Sequence, residues 1–168
     1  MATRRASSGL IDGASQPVTR NLARALAVRA ALSERIVAGI VAAGCLALLV
    51  VGARLAPAAE GHGTHTQLGL PPCGWYLATG KPCPTCGMTT AFAHACNLRP
   101  DLAFLIQPGG AAIAILTAAA FWIALHVAIF GSRIHDPFAK LLRPKALWIA
   151  AGAWGASWGY TLVTWSMR

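Results

Sequence analysis

Acidic side chains are scarce in this chain: Asp and Glu number 5 in 168 residues, and charged residues of both signs make up only 11 %. Of the acids, only Glu60 and Asp101 fall in the stretch that carries the other reactive side chains, and they are far apart in sequence. Hydrolysis by a pair of carboxylates therefore has no footing, and no serine constellation replaces it. The alternating strand and helix pattern of a thioredoxin fold is also missing. So is the histidine that c-type haem attachment needs after a C-x-x-C pair, because Gly87 follows Cys86. No RNP, zinc-finger or helix-turn-helix pattern accompanies the net charge of +9, so that charge does not mark a nucleic-acid interface.

What the chain has in quantity is apolar surface. Hydrophobic residues make up 56 %, against about half apolar and a quarter charged in ordinary soluble domains, which points to an all-α membrane protein. Three long apolar runs carry it: Ile36 to Ala53, Pro108 to Phe130 and Ala146 to Met167. At about 1.5 Å per residue each approaches or exceeds the roughly 30 Å of a hydrocarbon core, so three transmembrane helices are expected. The basic residues orient them. Arg4, Arg5, Arg20, Arg24, Arg29 and Arg35 precede the first run, and Arg133, Lys140, Arg143 and Lys145 sit between the second and third. Both groups belong on the cytoplasmic side of the membrane, which sends the loop 54–107 and the C-terminus outward.

The N-terminal 35 residues divide in two. Residues 1–17 are rich in Ser, Gly and Ala without apolar periodicity and read as a disordered tail. Residues 18–35 set Leu22, Leu26 and Leu32 among arginines, as a basic lead-in lying on anionic headgroups does. Residues 36–168 then form one transmembrane domain. A cleaved signal is a poor reading of the first run, since the basic lead is long and the apolar segment before Cys45 is short. Cys45 reads instead as a small mid-helix residue. In the third run, Gly152, Gly155 and Gly159 make a small-residue face suited to close packing, within the chain or between two copies. Tyr160 and Trp165 at its outer end and Trp148 at its inner end match interfacial aromatic belts, and His126 reads as interfacial.

The outer loop holds nearly all the available chemistry. Gly and Pro punctuate it as far as Pro84; from Pro84 to Cys96 the pattern predicts a short helix with Cys83 as its cap, and "RPDLAFLIQ" predicts a second. Both would lie at the outer interface. In such a helix Cys86 and Cys96 are about 15 Å apart along the axis, too far for a disulfide or a shared metal. Partners for Cys83 and Cys86 must come from upstream, where Cys73, His62 and His65 are available. Three chemistries fit these residues. Cys73 can be bonded to the pair, or the pair closed on itself, as a structural staple. Cys83 can be the nucleophile and Cys86 the resolving thiol of a thiol/disulfide oxidoreductase, with Cys73 as the loop cysteine. Or "HGTH" and "CPTC" can supply a zinc site from His62, His65, Cys83 and Cys86, with Cys73 able to replace either histidine.

The stretch "GKPCPTCGMTTAF", followed by "PDLAF" and by "QPGG" opening an apolar helix, resembles the bacterial family labelled domain of unknown function 2752, small membrane proteins with a CPxCGxTR core. The likeness runs from about Thr64 to Gly110. It places Pro82, Cys83, Pro84, Cys86, Gly87 and Thr89 in the family's core. Where the family has arginine after that threonine, this chain has Thr90. The resemblance implies a membrane protein with a C-x-x-C turn and supplies no activity. The sequence thus leads to an accessory membrane protein whose exoplasmic cysteine loop is a structural or ligand-binding turn, with the oxidoreductase and the zinc site as alternatives.

Overall fold

The computed structural model describes residues 32–132 and 144–165. The expected N-terminal tail, most of the lead-in and most of the basic loop lie outside the described residues. All regular structure among the described residues is helical: α1 (Leu32–Arg54), a 3-10 helix (Thr64–Leu68), α2 (Gly74–Thr79), α3 (Met88–Cys96), α4 (Pro100–Ile106), α5 (Pro108–Phe130) and α6 (Pro144–Trp165).

α1 and α5 are long and apolar enough to cross a membrane, and only 11 % and 17 % of their apolar windows are buried inside the protein. Apolar surface on that scale calls for a non-aqueous surrounding, since soluble domains rarely leave such patches bare. The two helices pack along each other. Arg35 fixes their direction: its Nε and Nη2 donate to the carbonyls of Ala128 and Ile129, each at 3.0 Å, so the start of α1 meets the end of α5 and the pair is antiparallel. Those carbonyls belong to the last turn, which has no intrahelical donors left for them. The bounds of α5 match its apolar run because both ends are locally encoded, with Pro108 in the first turn and Gly131 as a left-handed cap.

α6 has the length of a span, but two candidate spans, not three, are found among the described residues. Trp148, Trp154, Trp158, Tyr160 and its glycines dilute its apolar character. It is held by its C-terminal half. Ser157 Oγ accepts from the Gly109 amide at 2.8 Å and Tyr160 Oη donates to the Leu105 carbonyl at 3.1 Å. The end of α6 thus lies at the start of α5. Among the described residues its glycine stripe makes no close contact, as nothing lies within 4 Å of a side chain placed at Gly152, Gly155 or Gly159.

The short helices form a cap over the C-terminal end of α1 and the N-terminal end of α5. Their core is made of alanines, with Ala91, Ala103 and Ala111 at 1 % exposure or less and Ala95 and Ile106 packed against them. Small side chains let three helices meet closely; at Gly110 a Cβ would come within 2.7 Å of the Met88 carbonyl. The buried threonines of the cap are paired. Thr64 Oγ1 and Thr90 Oγ1 are 2.8 Å apart, and Thr64 Oγ1 also accepts from the Ala58 amide. Gln67 clamps the chain after α1 through both the amide and the carbonyl of Ala56. These bonds fix the 58–68 segment on α3.

One expectation is corrected here. The helix predicted from Pro84 begins at Met88, with Gly87 as its cap at φ 83°. A left-handed residue cannot continue a right-handed helix, so 84–87 is a separate turn and Cys83 caps nothing.

Candidate functional site

Two segments of the cap bring three of its cysteines together. Cys73 ends the run Pro71–Pro72 and caps α2, its carbonyl accepting from the Leu77 amide. Cys83 and Cys86 sit on the turn before α3, which is closed by the Cys86 amide on the Cys83 carbonyl at 3.0 Å and the Met88 amide on the Thr85 carbonyl at 3.1 Å. Gly87 then reverses the chain. From α6, Trp158 Nε1 donates to the Pro82 carbonyl at 3.3 Å and ties the turn to the helix bundle.

The result is a triangle of sulfurs. Cys83 and Cys86 Sγ are 3.2 Å apart, Cys86 and Cys73 Sγ 3.7 Å, and all three lie within 4.8 Å of one another. All five cysteines of the chain are free thiols. Cys96 lies away from the triangle, against α1 at Gly52, where burial pushes its thiol above the ordinary range. Cys45 is within α1.

Cys83 and Cys86 differ in character. Burial tends to raise the Cys83 thiol, but hydrogen bonds from the Thr85 hydroxyl, the Cys86 thiol, the Thr85 amide and Cys73 outweigh it, leaving Cys83 lowered to about 7. Burial, and then the proton it shares with Cys83, push Cys86 up to about 12. Cys83 lies ahead of the Gly87 cap of α3, and the bonds that lower it come from the turn and from Cys73. Thr85, whose Oγ1 is 3.2 Å from Cys83 Sγ, does that work from inside the motif.

A cavity of about 720 Å³ opens beside the triangle, lined by all three cysteines together with Glu60, His62 and His65. The structure therefore brings every candidate residue to one cavity, though only the cysteines form a cluster. His62 rests on the rings of Tyr76 and Trp165, with centroids at 5.0 and 4.8 Å, and its Nδ1 lies 3.1 Å from the Glu60 carbonyl. His65 Nε2 lies 3.2 Å from the Pro71 carbonyl. Sequence reading missed Thr85, which lies within the motif, and the supports from Tyr76, Trp158 and Trp165, which no local pattern announces.

Two uses follow from this geometry. A tetrahedral ion with bonds of about 2.3 Å to sulfur holds its sulfurs about 3.8 Å apart, a spacing the Cys86–Cys73 pair has at 3.7 Å and the Cys83–Cys86 pair would reach by opening from 3.2 Å. A disulfide needs about 2.05 Å, so Cys83 and Cys86 would have to close by more than an ångström to bond. Comparison of the chain with protein-family models, curated proteins and solved structures gives no match.

Proposed function

We propose that this protein is a membrane-anchored binder of a thiophilic cation of the zinc type, held on the outer face by Cys73, Cys83 and Cys86 with a fourth position open to the cavity. The observation that carries this reading is the third sulfur: Cys73 Sγ lies 3.7 Å from Cys86 Sγ, near the spacing of two sulfurs on one tetrahedral ion, and a three-thiolate site cannot form without it, whereas a C-x-x-C pair can exchange disulfides alone. Thr85, donating to Cys83, is the kind of outer partner that orients a ligating thiolate. In this reading α6 is a third crossing, antiparallel to α5. The setting is a cytoplasmic membrane, bacterial as the family resemblance implies, with the N-terminus inside as the distribution of arginine and lysine indicates.

A second reading has its own support. Cys83 near 7 beside Cys86 near 12 is the asymmetry of an attacking and a resolving thiol. In that chemistry the Cys83 thiolate attacks a substrate disulfide and expels one thiolate. Cys86 then displaces the second, leaving a Cys83–Cys86 disulfide and a reduced substrate. Thiol counting on anaerobically purified, zinc-supplemented protein separates the two. Metal binding predicts three thiols that react with a colorimetric disulfide reagent only after a chelator is added. If the count is the same with and without chelator, and Cys83 and Cys86 are found bonded, the redox reading replaces it.

A further inference from the structure

Resting on the three-thiolate reading, we infer that the His62 imidazole is the fourth ligand of the site. Position comes first. The Gly61 carbonyl oxygen lies 3.0 Å from where a Gly87 side chain would begin, so His62 and Cys86 are each the chain neighbour of a residue in that contact. On its other side His62 packs against Tyr76, which belongs to the helix that Cys73 caps. The imidazole thus sits between the two segments that carry the sulfurs, on the wall of the cavity they share.

Its hydrogen bonding prepares the ring for a metal. A carbonyl oxygen can only accept, so the nitrogen 3.1 Å from the Glu60 carbonyl, Nδ1, carries the proton. With Nδ1 as the donor, Nε2 of the neutral ring is the acceptor nitrogen, and the ring's neighbours are Tyr76 and Trp165. This is the arrangement in which metal-binding histidines are commonly held, one N–H on a backbone carbonyl and the other nitrogen on the ion. Nε2 is not within the sulfur group, so ligation requires the His62 ring to turn toward the cysteines and give up part of its present stack on Tyr76 and Trp165. A soft divalent cation then has three thiolates and one imidazole, a complete tetrahedral set.

Cobalt(II) added to the full-length protein in detergent under anaerobic conditions tests this, because sulfur-to-cobalt charge-transfer bands report thiolates and the visible d–d bands report the whole ligand set. The variant is His62→Phe, which keeps an aromatic ring against Tyr76 and Trp165, with His65→Ala as comparison. The expected result is that His62→Phe keeps the charge-transfer bands, changes the d–d bands and binds cobalt about tenfold or more weakly. Added imidazole should restore the original d–d spectrum, and His65→Ala should match the unsubstituted protein. Unchanged d–d bands and affinity in His62→Phe overturn the assignment while leaving the three-thiolate site standing. So does loss in His65→Ala alone. Absence of charge-transfer bands in the unsubstituted protein sinks the three-thiolate reading and this inference together.

Discussion

Replacing Gly87 by alanine perturbs the site at its tightest backbone position without touching a sulfur. Gly87 has φ 83°, and an added Cβ would stand 3.0 Å from the Gly61 carbonyl oxygen and 3.3 Å from Ile106 Cγ2. The left-handed conformation alone costs a residue with a side chain roughly 1–2 kcal/mol. The carbonyl contact adds to that, because a backbone oxygen has no flexible end to move aside. Gly80 offers a matched control: its φ is 66°, but nothing lies within 4 Å of the added atom. Gly80→Ala should therefore lower stability by about 1 kcal/mol and leave cation affinity unchanged. Gly87→Ala should relieve its strain by moving the turn that carries Cys86. If about 2 kcal/mol of that strain falls on the bound state, affinity drops roughly 30-fold. Zinc competition titrations and thermal unfolding in the same detergent give both numbers. Equal affinities for the two variants would refute the idea that the Gly87 turn sets the sulfur spacing.

Three further outcomes follow from the same contacts. In metal-free protein, alkylation of Cys83 should rise with pH through a midpoint near 7, because the lowered thiol is protonated below that value and thiolate above it; Thr85→Val should move the midpoint upward, and an unmoved midpoint would remove Thr85 as the cause. Trp158→Phe keeps the ring but deletes the bond to the Pro82 carbonyl, about 1 kcal/mol, so zinc affinity should fall about fivefold with little loss of helicity by circular dichroism. A membrane-impermeant maleimide applied to intact spheroplasts should label Cys83 in metal-depleted cells. Labelling only after the membrane is permeabilised would reverse the proposed topology.

How much of this was legible in the sequence depends on how local each signal is. α5 could be bounded to the residue because proline and glycine mark its ends. α4 was legible for the same reason at its start, with Pro100 in its first turn. The start of α3 was not, since glycine permits a left-handed conformation without requiring it, and only the contact with Gly61 decides. The C-x-x-C turn was visible, and the length of a helix was enough to separate Cys96 from it. The supports were invisible. The Trp158 bond to Pro82 and the His62–Tyr76–Trp165 stack join segments far apart in sequence. His62 and His65 could be named from "HGTH", but their ring orientations depend on the Glu60 and Pro71 carbonyls, which only the folded loop supplies.

Cys73 separates the two chemistries, because a C-x-x-C redox pair can work without it and a three-thiolate site cannot. The decisive measurement is the zinc content of the unsubstituted protein and of Cys73→Ala, both purified anaerobically and read by elemental analysis. About one zinc per chain in the first and almost none in the second is the predicted result. Zinc retained at the full level in Cys73→Ala, or no zinc in either with a quantitative Cys83–Cys86 disulfide, would contradict it.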